Sequence, residues 1–424
     1  MSLFVLIAIP AGKSINLTLS QRGLRQLKAV GVDALVLEHA VPLYGRMIHK
    51  AGSEKKPQVM PYSSDGDCIY SINRNVLNVL LLNRVAQDPN ITVHFHCKVE
   101  KLHFRKQGSM NTLTFSNSSS SSPPSTHSAD YSFVFGCDGV HSVVREEMKK
   151  HGGITFTKDC IEHGYKELAI GNSGCGSYHL DPNSLHIWPR DDMVLLAMSN
   201  KDRTFTASLF MPDTMFKCLE TEEQIRQFLV REFPDVSSLD PKHFVESYLK
   251  NPKSSLRTVK CSPHHLTEGA LLIGDAAHAI VPFYGQGVNC GFEDCLVFAD
   301  LLTKNSGDFA AAAATYSSIR KADTDAIADL SMQNYTELRC LVNQPQFHWK
   351  RRVEGHLQHW FPNQFTSVYK MVAFSNQPYH KALQQKLWQD ATVAKVSHYF
   401  LMAAVLVLLI VLATVLLSCF LLFT

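Results

Sequence analysis

Two stretches of this chain repeat one local design. FGCDGVHSVVR (135–145) and ALLIGDAAHAIVPFYGQGVNCGFED (270–294) each run an apolar strand into Gly and Asp and then into a helical pattern. A strand that delivers an acid at its C-terminal end, ahead of a helix, is the corner at which open α/β sheets bind ligands. Two such corners constrain the chain to a layered α/β fold. In the second corner Asp275 is placed to accept hydrogen bonds from sugar hydroxyls, and Gly285 and Gly287 permit turns and close approaches that a Cβ would block. A helix starting near Val288 would aim N–H groups and partial positive charge back at the loop, which suits a pyrophosphate or another anionic group. The local chemistry leaves a plainer reading open, in which Asp275 merely caps a helix. Asp138-Gly139 is likewise a good turn by itself, with Ser142 placed to cap a helix and Arg145 one turn on.

The rest of the chain must supply the layers around these corners. Leu17–Val30 carries apolar residues at helical spacing around Arg22 and Arg25, with Gly31 as a stop. Ser71–Val85 reads as a second amphipathic helix, Asp88-Pro89 as a turn, and ITVHFH (91–96), LHF, TLTF and YSFVFG as strands. SNSSSSSPPSTHS (116–128) has the composition of a loop or insertion. Between about 154 and 260, short alternating runs such as SLHIWP, DMVLLAMS and FTASLFMP predict an antiparallel sheet, with EEQIRQFLVREF (222–233) as a helix beside it. Most of the remainder up to about 394 reads as helix.

Composition excludes other classes. A net charge of +3 with 19% charged residues leaves no nucleic-acid footprint. Eleven cysteines without CxxC or Cys-His metal spacing favour reduced thiols over a disulfide framework or a metal centre. From Tyr399 to Phe423 the sequence YFLMAAVLVLLIVLATVLLSCFLLF holds no charge, Pro or Gly, and exceeds the ~20 residues that cross a bilayer core. With Lys386 and Lys395 just before it, the expectation is a tail anchor that leaves the body on the cytosolic side. MSLFVLIAIP is apolar but too short to span and lacks a basic leader, so it reads as one buried strand or as sequence outside the fold.

At this point the residues carry a resemblance. GCDGVHSVVR and GDAAHAIVPFYGQGVNCGFEDC resemble the two fingerprints of the flavoprotein aromatic hydroxylases. GKSINLTLSQRG, GRMIH, EHGYKEL, LHIWPR, LFMP and DLSMQNY narrow the likeness to the branch acting on L-kynurenine, over residues 12–380. The resemblance implies FAD as cofactor, NADPH and O2 as co-substrates, and hydroxylation of L-kynurenine to 3-hydroxykynurenine. It also implies residence in the mitochondrial outer membrane, with the catalytic part facing the cytosol. The implied organisation is an FAD-binding domain in two parts (1–153 and 261–310), an antiparallel-sheet substrate domain (154–260), a helical region (311–395) and an anchor (396–424).

Residue by residue, the resemblance places the substrate carboxylate on Arg46 and Tyr62, with Asn334 and Tyr369 completing the substrate site. Flavin contacts fall on Thr18, Arg74, Val99, Asp275, Val288 and Asn289, and on Asp138 through the first fingerprint. Phe283 and Tyr284 correspond to the aromatic pair beside the flavin ring, and His278 reads as structural. The chemistry belongs to the cofactor, so no protein nucleophile or metal is expected. A surface Arg and core tyrosines are the plainer readings of the same residues. One departure stands out: G-x-G-x-x-G, the family's pyrophosphate turn, occurs nowhere in the chain. On that ground the chain as written is expected to bind FAD weakly or not at all. Three readings follow: an incomplete hydroxylase product, a membrane-anchored binding protein without catalysis, or an enzyme for another small aromatic compound.

Overall fold

The computed structural model describes residues 3–7, 15–52, 57–63, 66–105, 110–117, 125–174, 176–337 and 345–423. Its largest layer is a seven-stranded sheet in the order Ser254–Ser262, Thr155–Ile170, Phe205–Pro212, Met193–Ser199, Ser184–Arg190, Gly45–Ile48, Gln58–Pro61. The pairings are antiparallel except where Ser184–Arg190 meets Gly45–Ile48 in parallel, with Leu185 opposite Arg46 and Ile187 opposite Ile48. The sheet expected from 154–260 is therefore extended by two strands from residues 45–61. Local pattern does not reveal this, because the partners lie some 140 positions apart.

Side chains alternate between the two faces of this sheet. Leu168, Trp188, Leu195, Phe205 and Leu209 face the helices Glu222–Glu232, Pro234–Leu239 and Pro241–Lys250, and meet Ile225, Phe228 and Phe244 there. Ile48, Ile187, Val194 and Phe210 face the other way, against Phe283 and Tyr335. One face is thus a closed core and the other is turned towards the Asp275 corner.

The two Gly-Asp corners follow neighbouring parallel strands, Val134–Gly136 and Ala270–Leu272. A Cβ on Gly136 would lie 2.7 Å from Leu272 Cδ2 and 2.9 Å from Val144 Cγ1, so only glycine lets strand and helix close up. Arg145 ties the corners together: buried under Phe156, it donates to the Ala276 carbonyl at 2.8 Å and to the Val140 carbonyl at 2.9 Å. Ser142 caps the helix Val143–Lys150 as expected, accepting from the Arg145 N–H at 2.9 Å.

Three expectations need amendment. The helical reading of Leu17–Val30 holds only for Gln21–Ala29. Asn16–Leu19 is instead a strand, because Leu17 and Leu19 pair with Ile72 and Tyr70 of Ile69–Asn73. The second helix correspondingly starts at Arg74 and runs to Val85. In the Ser/Pro-rich segment, Ser125–Tyr131 is a strand paired with Asn111–Asn117, while residues 118–124 lie outside the described residues. At the N-terminus Leu3–Ile7 pairs in parallel with Ile91–Phe95, and residues 8–14, which join it to the rest, lie outside them too. The C-terminal half is helical: Gly287–Lys304, Phe309–Thr336, Pro345–Trp360, Val368–Ala373 and Tyr379–Phe423. The last has the length and composition of a membrane-crossing helix, and its apolar window is not buried in the molecule.

Candidate active site

Arg46 lies on the same face of its strand as Ile48, the face turned to Phe283 and Tyr335. Its guanidinium stands 4.5 Å from the Tyr369 ring and 5.7 Å from that of Tyr62. Tyr62 and Tyr369 stack at 4.8 Å, and Tyr284 stacks on Tyr369 at 6.0 Å. Tyr62 is held by the sheet, its N–H bonded to the Tyr44 carbonyl at 3.0 Å. Tyr369 sits in the helix Val368–Ala373, capped by Ser367. Asn334 donates to the Phe283 carbonyl at 2.7 Å and so fixes the Phe283–Tyr284 turn.

Two features make this cage unusual for a core. Arg46 Nε is sheltered from solvent without a hydrogen-bond partner among the described residues, and the equally sheltered Tyr62 hydroxyl interacts only with Arg46 and Tyr369 of the cage itself, in strained geometry. Leaving such a group unsatisfied costs about 1–3 kcal/mol, which marks a place where a further group belongs. Burial by itself would lower the Arg46 pKa, but the Tyr62, Tyr369 and Tyr284 oxygens reverse this and hold it above its ordinary value. The cage therefore presents a permanent cation, a phenol and aromatic walls.

The Asp275 corner closes the other side of the Phe283 turn. Gly274 takes a φ of 61° and Asp275 opens the short helix Asp275–His278. Burial raises the Asp275 carboxyl, with His278 and Arg74 opposing. Arg74 and Asp275 both act electrostatically on Tyr165, whose ring packs 5.5 Å from Phe210, itself 4.9 Å from Phe283. Tyr165, Phe210 and Phe283 thus form one run of ring contacts, and Tyr284, Tyr369 and Tyr62 form another beside Arg46, the two meeting at the Phe283–Tyr284 step of the turn.

Gly285, in the left-handed region at φ 63°, could not carry a side chain, since a Cβ would fall 2.1 Å from Thr18 Oγ1. Thr18 donates to the Gly285 carbonyl at 3.0 Å. Asn289 bonds the Thr18 and Gly285 carbonyls, both at 2.8 Å, and accepts from the Ser20 N–H at 2.9 Å. Thr18 and Asn289 thereby lock the loop, and the Asn289 side chain is spent within the protein. No side chain caps the helix Gly287–Lys304, which leaves its first-turn N–H groups available. Val288 packs beside Leu19 and Leu27, and Val99 packs in the cluster holding Ala276 and Ala277. Asp138 stands apart: its carboxylate accepts from the Val143 and Val144 N–H groups at 2.7 and 3.1 Å and caps that helix.

These pieces fit the ring and ribityl end of FAD. With FAD bound, Asp275 would offer an acceptor for hydroxyls, the helix end N–H donors for an anionic edge, and Phe283 and Tyr284 an apolar wall.

Sequence reasoning missed the charge cluster beneath the corner. Asp294 accepts from the Gly274 N–H at 3.0 Å, pairs with His278 Nε2 at 2.5 Å, and is met by Arg320 Nε at 2.9 Å. Glu293 bridges Arg320 and Arg22, and Arg22 lies 4.0 Å over the ring of Tyr379. Burial would raise Asp294, yet His278 and Arg320 hold it well below the usual carboxylate range. His278, Cys290 and Asp294 are close enough to suggest a metal, but Arg320 already bonds both Cys290 and Asp294 and supplies the positive charge.

A family model described as FAD binding domain matches residues 10–331. The kynurenine 3-monooxygenase of Anopheles gambiae is 37% identical over 390 residues, 91% of this chain and 78% of that one. The Sus scrofa enzyme of that name is 37% identical, over 92% of this chain and 80% of its own. The chain belongs to the kynurenine 3-monooxygenase family. It is accordingly a flavin monooxygenase with FAD as its cofactor, and the reading as a non-catalytic binding protein is not favoured. Among solved structures, 2-methyl-3-hydroxypyridine-5-carboxylic acid oxygenase matches with a TM-score of 0.64 at 18% identity, over 80% of this chain and 85% of that one. Pseudomonas aeruginosa PqsL matches at 0.61 and 17%, over 79% and 89%. Both agree with the fold described.

Proposed function

We propose that this chain hydroxylates L-kynurenine to 3-hydroxykynurenine with NADPH and O2, with Arg46 and Tyr62 gripping the substrate carboxylate. The observation that supports the reading is the sheltered Arg46 Nε without a partner, beside the Tyr62 hydroxyl, inside a cage of Tyr62, Tyr369 and Tyr284. An ionised carboxylate on an aromatic amino acid answers both donors and stacks within the cage. Tyr369 completes the wall, and Asn334 acts by holding the Phe283 turn. FAD, when bound, would supply the O2-activating chemistry, with NADPH as its reductant. Thr18, Arg74, Val99, Asp275, Val288 and Asn289 shape its seat. Asp138 contributes through the helix it caps. The protein's own work is to hold an already activated ring in place and keep water away.

The helix Tyr379–Phe423 supports attachment to a membrane through its exposed apolar end. The family resemblance carries the compartment, the mitochondrial outer membrane with the body towards the cytosol.

Purified full chain supplied with FAD should oxidise NADPH in a kynurenine-dependent manner and release 3-hydroxykynurenine. NADPH oxidation that no aromatic amino acid stimulates would refute the proposed substrate.

A further inference from the structure

Behind Arg46, across the thickness of the seven-stranded sheet, lies a second polar cluster. Successive strand residues point to opposite faces, so His49, three positions on, faces away from Arg46. Its Nε2 stands 2.9 Å from His186 Nδ1. His186 Nε2 stands 2.8 Å from the Asp181 carbonyl oxygen. His49 Nδ1 is 3.2 Å from Asp235 Oδ2, which also accepts from Trp188 Nε1 at 2.5 Å. The His49 ring stacks on Trp188 at 4.2 Å.

The protons of this cluster can be counted. A carbonyl only accepts, so His186 Nε2 carries a proton. Asp235 is ionised: burial would raise its pKa, but His49 and Trp188 hold it below the ordinary value. His49 Nδ1 therefore carries a proton as well. With only these two, His49 Nε2 and His186 Nδ1 would meet lone pair to lone pair at 2.9 Å. A third proton turns that repulsion into a hydrogen bond. Burial pushes His186 down to about 4, so the third proton is held through the bond the two rings share and the Asp235 carboxylate beside them.

The other charged groups around the pair are accounted for. Arg190 donates to the His49 carbonyl at 2.9 Å and to the Glu232 carbonyl at 2.6 Å. The Asp181 carboxylate accepts from Ser184 Oγ at 2.5 Å. Lys50 follows His49 in the chain and is exposed. A cleft of about 530 Å³ lined by His49, Lys50, Arg190 and Asp235 gives solvent protons access.

The strand this cluster borders is short. Gly45–Ile48 has four residues, and the parallel ladder to Ser184–Ile187 is extended by the His49 N–H to Ile187 carbonyl bond at 2.9 Å. We propose that His49 and His186 are positioning residues for Arg46, acting through their shared proton. With the third proton in place the pair fastens the Gly45–Ile48 strand to Ser184–Arg190. Without it the strand loosens and the grip on an acidic substrate weakens. The inference rests on Arg46 being the carboxylate anchor, so its test has a readout that needs no substrate.

Amide hydrogen exchange of residues 45–49 in the full chain, expressed as protection factors across pH, reads the strand directly. Kynurenine KM and kcat over the same range read the consequence. Protection in the native chain should fall at least tenfold as pH rises, with KM rising in step and kcat holding. His49→Gln should give low, pH-independent protection and a flat, raised KM. Asp235→Asn, which keeps both rings but removes the counter-charge, should move both limbs to lower pH. Native-like limbs in both variants would overturn the shared proton, and protection that changes without KM would overturn its link to Arg46. If the native chain leaves kynurenine unchanged, the substrate reading has failed, and the exchange limb alone decides the proton.

Discussion

Replacing Arg46 by Met should separate binding from stability, because the two effects have opposite signs. Each charge-assisted hydrogen bond from the guanidinium to a carboxylate contributes about 1.5–3 kcal/mol. Losing one at the low end weakens binding about tenfold, and losing two about a hundredfold or more, at 1.4 kcal/mol per decade. In the substrate-free protein, by contrast, Arg46 Nε is a sheltered donor left without a partner, and such a group costs about 1–3 kcal/mol. Methionine fills similar volume without that cost. Arg46→Met should therefore leave the melting temperature of the ligand-free protein unchanged or raised, while kynurenine KM rises tenfold or more and kcat at saturation changes far less. Stopped-flow flavin reduction with varied kynurenine, alongside a thermal melt, measures both. A KM within threefold of the native value, or a clear loss of stability, would show that Arg46 is a structural cation and remove it from the site.

Asp275→Asn should stabilise the cofactor-free protein at neutral pH, since burial raises the Asp275 carboxyl and ionising it opposes folding as pH climbs past its ordinary value. The gain should vanish in acid, and flavin retained through gel filtration should fall in the same variant. Asp294→Ala leaves His278 buried without its carboxylate partner and Arg320 with only Glu293 and Asp323, and should cost about 3–5 kcal/mol in urea titrations. In the native protein that contribution, from a depressed carboxyl, is present above the ordinary carboxylate pKa and is lost as pH falls. Glu167, raised by burial to about 7 with Arg74 opposing, has the reverse sign. Glu167→Gln should gain stability over the native chain as pH rises from about 4.5 to 7, read by melts at pH 4.5 and 8. Removing residues 396–424 should shift the protein from the membrane fraction to the soluble one.

The elements whose cause is local were legible in the sequence. The Gly-Asp corners, the Ser142 cap, the antiparallel runs after residue 154 and the apolar tail all follow from spacing within a few residues. Asp138 illustrates the limit of a motif: its carboxylate is bound to the Val143 and Val144 N–H groups, the local option that the turn chemistry already offered. Asn289 likewise proves to be a clamp on the loop rather than a free donor. What spacing could not reveal depends on distant partners. Nothing around Arg22 announces Glu293, and nothing in GRMIH announces that its strand joins LHIWPR or that His49 meets His186. The strand before Gln21 was read as helix because Leu17 and Leu19 fit either period until Ile69–Asn73 pairs with them.

The last helix runs from Tyr379 to Phe423 without a proline or glycine, a rod of about 67 Å at 1.5 Å per residue. Its first residue is buried beneath the Asp275 loop, where the Tyr379 hydroxyl donates to Gln286 at 3.0 Å. Its apolar residues from Tyr399 to Leu412 are exposed. Such a shaft has no joint at which to absorb a tilt, so whatever clasps the greasy end sets the angle at which it leans on Gln286. With that end held in a bilayer, a change in bilayer thickness would be felt as leverage at Gln286, about twenty residues from the start of the apolar stretch at Tyr399.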